Sequence, residues 1–150
     1  MTHTYLVPYD ASDYAKKALA WAIENAKRLE ANIRVINVQP SFHTAHAKTL
    51  FTKQDIEEYQ TQLFNEATQG VQALLDKAGV PATLEMGVGD PKEVIVELVK
   101  ASRQTDSPID LIIMGSRGTS PFFSGILGSV SYAIINAGIC PVMIIPQEKE

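Results

Sequence analysis

Short apolar runs alternate along this chain with stretches whose apolar residues recur at helical spacing, and no other feature restricts its fold as much. Residues 5–9, 33–38, 82–88, 109–114 and 142–145 have the length and the β-branched or aromatic content of strands. After the first run, Ala15, Ala18, Leu19, Ala22, Ile23, Ala26 and Leu29 mark one buried helical face, with Lys16, Lys17, Glu24, Lys27 and Arg28 opposite. Trp21 falls between these faces and reads as a packing residue. Residues 52–78 read as one helix with Ile56, Leu63, Ala67, Val71, Leu74 and Leu75 inward and Gly79 as its stop.

Asp90-Pro91-Lys92-Glu93 is a helix start: Asp90 can cap, Pro91 suits the first position and Glu93 can complete a capping box. Val94, Ile95, Leu98 and Val99 form that helix's buried face, and a last helix opens at Gly128-Ser129. Strands fed alternately by helices predict a parallel sheet covered on both faces, with right-handed crossovers. The uninterrupted apolar runs at 111–114 and 142–145 agree, because central parallel strands are buried on both sides.

A length of 150 residues fits one domain, 1–150, able to bury about two-thirds of its unfolded surface without a disulfide or metal staple. Thirteen Lys and Arg against seventeen Asp and Glu give a net charge of −4, which argues against a broad nucleic-acid surface and leaves a local anion site open. No membrane-length apolar run and no signal-type start are present, so a cytoplasmic protein is expected. The single Cys140 cannot form an internal disulfide and reads as a small buried hydrophobe before Pro141. His43 and His46 fall in a thirteen-residue connection, 39–51, with no third ligand beside them, and read as loop side chains; His3 reads as a surface residue.

In open α/β sheets ligands bind beyond the carboxyl ends of the strands, where strand order reverses. Asp10, Val38 to His46, and Gly115 to Ser131 stand at such ends. Gly115-Ser116-Arg117-Gly118 permits close backbone approach and positive φ, which would turn successive N–H groups inward as an anion nest. Gly128-Ser129 opens a helix, where unpaired N–H groups favour phosphate; Ser129 and Ser131 add hydroxyls and Arg117 a fixed charge. Glycine and serine are equally the residues of plain turns and caps, so residue types alone leave both readings open. A Walker lysine motif and a Gly-x-Gly-x-x-Gly after the first strand are both absent. A phosphoacceptor receiver would want an aspartate ending the third strand, where Asp90 reads better as a cap.

Gly-x-x-Gly, nine residues, then Gly-Ser after an apolar strand resembles the nucleotide-binding signature of the universal stress protein family, in its ATP-binding branch. Pro8-Tyr9-Asp10-Ala11-Ser12 is similar to the family's opening turn, and Cys140-Pro141-Val142 to its final strand. The resemblance implies an adenine nucleotide alpha hydrolase-like, Rossmann-like fold: a doubly wound five-stranded parallel sheet of order 3-2-1-4-5. It also implies ATP between the first and fourth strands. Asp10 would meet the nucleoside, Pro8 and Tyr9 shape its pocket, the Val38 backbone pair with adenine, and Met114 and Gly115 flank the ribose. Gly118, Gly128, Ser129, Val130 and Ser131 would hold the phosphates, with Arg117 at a variable position and a divalent cation, Mg or Mn, bridging them. It further implies a homodimer through Val142 to Ile145 and a regulatory or sensor role, against the alternatives of a slow ATPase or a nucleotide-free interaction module. No acid or glutamine stands in the motif to orient water, so hydrolysis is expected to be slow or negligible.

Overall fold

The computed structural model describes residues 2–42, 44–117 and 128–147. Strands β1 (His3–Pro8), β2 (Ala31–Gln39), β3 (Ala82–Val88), β4 (Ile109–Gly115) and β5 (Val142–Ile145) form one parallel sheet in the order β3-β2-β1-β4-β5. Helices α1 (Asp13–Ala26), α2 (Ala45–Leu50), α3 (Lys53–Ala67), α4 (Val71–Asp76), α5 (Pro91–Ser102) and α6 (Ser129–Ala137) cover it. The expected doubly wound α/β architecture is therefore present.

Coverage on both faces explains why β1 is apolar without alternation. Leu6 and Val7 are both fully buried although successive side chains of a strand point to opposite faces. Val7 packs with Tyr5, Val35, Ile113 and the Ala18, Leu19 and Ala22 stripe of α1. Leu6 packs on the other side with Ile36, Ile112, Ile95 and Val99 of α5, and Ile134 of α6. Trp21 and Cys140 are partly buried against the first and second of these clusters, respectively.

Three expectations are corrected. The 39–51 connection contains α2, whose first turn is capped by the Thr44 hydroxyl accepting from the Ala47 N–H. The single helix expected over 52–78 is two helices, because Gly70 takes a left-handed φ of 83° and breaks the ladder while the apolar period runs on across it. Leu74 consequently lies 53% exposed, and Leu29, beyond the end of α1, is 51% exposed. No described helix is long and apolar enough to cross a membrane.

Candidate functional site

The sheet reverses its winding between β1 and β4, which are hydrogen-bonded neighbours although β2 and β3 lie between them in the chain. The crevice beyond their carboxyl ends is built first by the turn after β1. Pro8 has no N–H with which to extend the strand. The Tyr9 N–H still reaches the Ile36 carbonyl at 2.8 Å, and the buried Asn37 side chain donates to the Tyr9 carbonyl at 2.8 Å. Asn37 is itself held by the Gln39 amide, which donates to its Oδ1 at 2.6 Å. Asp10 is exposed and accepts the Ser12 N–H at 3.0 Å; Ser12 then caps α1 by accepting from the Ala15 N–H at 3.1 Å. Between them Ala11 takes a left-handed φ of 66°, a conformation costly for a residue with a Cβ. Burial, and next the nearby Asp10 carboxylate, push the Tyr9 phenol above its usual range.

The second wall is the exit of β4. A Cβ on Gly115 would lie 2.5 Å from the Tyr14 Cβ and 2.7 Å from its backbone carbonyl carbon, so this glycine lets the first turn of α1 rest on the strand. The Ser131 hydroxyl donates to the Gly115 carbonyl at 3.0 Å and fastens the start of α6 to the same strand end. The Gly128 N–H donates to the Ser116 carbonyl at 2.8 Å, so the chain on either side of residues 118–127 is clasped at its base.

These bonds alter the expected roles of several groups. Gly115 and Gly128 do not take positive φ, and Gly128 is extended at φ −62°, ψ 155°; neither contributes the turned-in nest expected of the glycines. Gly118 lies outside the described residues. The Gly128 N–H and the Ser131 hydroxyl hydrogen are already engaged. Among the described residues, what remains open is the backbone of the first turn: α6 begins with no side-chain cap there, and the N–H groups of Ser129, Val130 and Ser131 precede any intrahelical acceptor. Arg117 lines the same cavity. Its Nη1 donates to the Tyr14 hydroxyl at 3.2 Å, its guanidinium carbon stands 5.6 Å from that ring's centre, and its Nε is buried without an acceptor among the described residues.

Pro8, Tyr9, Asp10, Val38, Met114, Gly115, Arg117, Gly128, Ser129, Val130 and Ser131, the expected site residues within the described chain, all line one cavity of about 270 Å³. Ile36 and Asn37 of β2, Ala15 of α1 and Pro91 and Ile95 of α5 line it as well. The sequence signal for Asn37 was a polar residue inside the apolar run 35–38. The hydrogen-bond phase that points the Ile36 carbonyl at Tyr9 directs the Val38 peptide groups to the same side, where β1 has ended. His46 is exposed on α2 and is not among the lining residues, while His43 lies outside the described residues. Asp10 is the lone carboxylate on the described wall, and no cluster of three or more His, Cys, Asp or Glu suited to a metal exists among the described residues.

A second cavity of about 740 Å³ between α2, α3 and β3 shares no lining residue with the first. It is larger and carries Lys48 and Lys53 beside Phe42, Phe51, Ile56, Met86 and Val88, but Lys53 stands 4.0 Å from Glu57 and the N-termini of α2 and α3 are closed by Thr44 and Thr52. The open helix start therefore distinguishes the smaller cavity.

The model of the universal stress protein family matches residues 1–146. The chain belongs to the universal stress protein family. It is 29% identical to universal stress protein YxiE of Bacillus subtilis, covering 97% of this chain and 99% of the relative. It is 28% identical to universal stress protein MJ0531 of Methanocaldococcus jannaschii, covering 97% of this chain and 82% of that one. Among solved structures, universal stress protein UspA from Lactobacillus plantarum superposes with a TM-score of 0.76 at 25% identity, covering 95% and 97% of the two chains. A family member from Arabidopsis thaliana with AMP bound shares the fold at a TM-score of 0.62, 23% identity and 97% and 92% coverage. So does a universal stress protein in complex with cAMP, at a TM-score of 0.62, 21% identity and 97% coverage of each chain.

Proposed function

We propose that this universal stress protein binds ATP in the β1–β4 crevice and acts as a nucleotide-dependent regulatory dimer in the cytoplasm. The observation that carries the reading is the uncapped start of α6, opening on the same cavity wall as Arg117. A helix N-terminus without a cap offers N–H groups and the positive end of its dipole, and the adjacent guanidinium adds full charge. The relatives of the same fold that hold AMP and cAMP support an adenine nucleotide as the ligand class.

On this reading the Val38 peptide groups meet the adenine edge, between walls shaped by Pro8 and Tyr9, and Asp10 meets the ribose hydroxyls. Met114 and Gly115 flank the sugar. The phosphates lie against the N–H groups of Ser129, Val130 and Ser131, with Gly128 as the bare entry to the helix; the family resemblance adds Gly118 as a further phosphate contact. A divalent cation fits as a partner of the phosphates rather than of the protein, because Asp10 alone offers a carboxylate on the described wall. When bound it supplies neutralisation of phosphate charge. Arg117 compensates charge too, but no described carboxylate or glutamine is placed to orient water at the phosphate end, so retention outweighs turnover.

The dimer reading rests on β5. Val142 to Ile145 form an apolar edge strand whose four residues are all only partly buried, and such edges are ordinarily paired or covered.

Mass spectrometry of nucleotide released from untreated purified protein tests the reading. Intact ATP is the expected result. ADP with released phosphate would favour a slow ATPase, and absence of any adenine nucleotide, with no binding on titration of Mg-ATP, would overturn the proposal.

A further inference from the structure

Arg117 is held in an unusual way for a surface cation. Among the described residues it forms no ion pair with a carboxylate. It rests instead over the Tyr14 ring, with Nη1 donating to the phenol oxygen and Nε buried and without an acceptor. The face of an aromatic ring attracts a guanidinium, and the hydroxyl fixes its rotation on that face. The position of Tyr14 is in turn fixed by Gly115, whose missing Cβ allows the Tyr14 backbone to sit on β4 two residues before Arg117. Gly115, Tyr14 and Arg117 thus form one unit at the wall that also carries the open start of α6.

The geometry points to Tyr14 as a positioning residue that presents Arg117 to a phosphate monoester, so that the site selects 5′-phosphorylated adenosine over adenosine. This inference rests on the adenine-nucleotide reading above. A buried N–H without an acceptor is costly, and a phosphate oxygen relieves that cost while the planar fork supplies a second, parallel donor. Adenosine offers Arg117 no anion, so the contribution appears only when the phosphate is present. A dianionic monoester gains more from the fork than the singly charged cyclic diester, which places AMP above cAMP and both above adenosine.

Calorimetric titration of the full chain with AMP and with adenosine, at one salt concentration, tests this. Arg117→Gln is expected to reduce the AMP-over-adenosine preference by about 10- to 100-fold, the scale of a charge-assisted hydrogen bond, with adenosine affinity unchanged. Tyr14→Ala is expected to reduce it about tenfold, and Tyr14→Phe, which keeps the ring, by only about threefold. Should Tyr14→Ala fail to fold, Tyr14→Phe and Arg117→Gln decide the question by themselves. An unchanged preference in Arg117→Gln and Tyr14→Phe overturns the inference, as does a parallel loss of adenosine and AMP affinity in the Tyr14 variants, which would make Tyr14 a prop of the fold only. If the unsubstituted protein binds neither adenosine nor AMP, the nucleotide reading fails and this inference with it; if it binds both equally, only this inference fails.

Discussion

Helices α5 and α6 both begin at the carboxyl edge of the sheet and both place residues on the same cavity, yet one start is closed and the other open. At α5 the Asp90 carboxylate accepts the Lys92 N–H at 2.8 Å, and Pro91 at the first position has no N–H to satisfy. At α6 the corresponding residue is Gly128, with no side chain to cap the turn. The dipole is common to both helices, so it does not decide where an anion goes. The cap residue decides, because a helix that carries its own carboxylate has already bound its anion.

The largest expected effect comes from closing the open start. Gly128 is extended at φ −62°, ψ 155°, a conformation any residue adopts, so Gly128→Asp should build a cap without backbone strain. Nucleotide affinity should fall by at least about 100-fold while folding stability rises by about 0.3–1 kcal/mol, read by calorimetry and denaturant unfolding. Next is Gly115→Ala, whose Cβ would meet the Tyr14 backbone; a destabilisation of about 1–3 kcal/mol is expected in chemical unfolding, with weaker nucleotide binding. Opening the closed start is milder: Asp90→Ala should cost about 1 kcal/mol of stability and leave nucleotide affinity within about twofold.

How much of this could be read from the chain varies with the range of the contact. The bounds of β3 and β5 follow from short β-rich runs flanked by turn residues, although both are edge strands with no fully buried residue, and the sheet order follows from the family resemblance. The break at Gly70 was not legible, because the 3.6-residue period continues across it. The candidate site was legible as residue types, but not as states of those residues. Sequence presents Ser131 as a phosphate donor, whereas folding engages its hydroxyl hydrogen at Gly115; sequence assigns positive φ to Gly115 and its neighbours, whereas Ala11, in the turn after β1, adopts it. Tyr14 carries no signal of its own in the sequence, because its meaning depends on residues 115 and 117, about a hundred positions away, meeting it only after β4 joins β1.

The smallest effect serves as a control away from both helix starts. Arg34 donates two hydrogen bonds to Glu85, at 2.7 and 2.8 Å, and holds that carboxyl below its usual range. A carboxyl whose folded pKa is depressed contributes stability that is present above its unfolded pKa of about 4.3 and is lost as pH falls through the folded value. Glu85→Gln should therefore cost less than about 1 kcal/mol at neutral pH for this partly exposed pair, flatten the acid limb of the stability profile, and leave nucleotide binding unchanged.

The contrast between the two helix starts is tested most directly by following backbone amide resonances during titration with AMP. The N–H signals of Ser129, Val130 and Ser131 should move together and saturate with the bound fraction, while those of Lys92, Glu93 and Val94 at the start of α5 stay in place. Movement at α5 with residues 129–131 unchanged, or no movement at either start at millimolar AMP, would contradict the assignment of phosphate to α6.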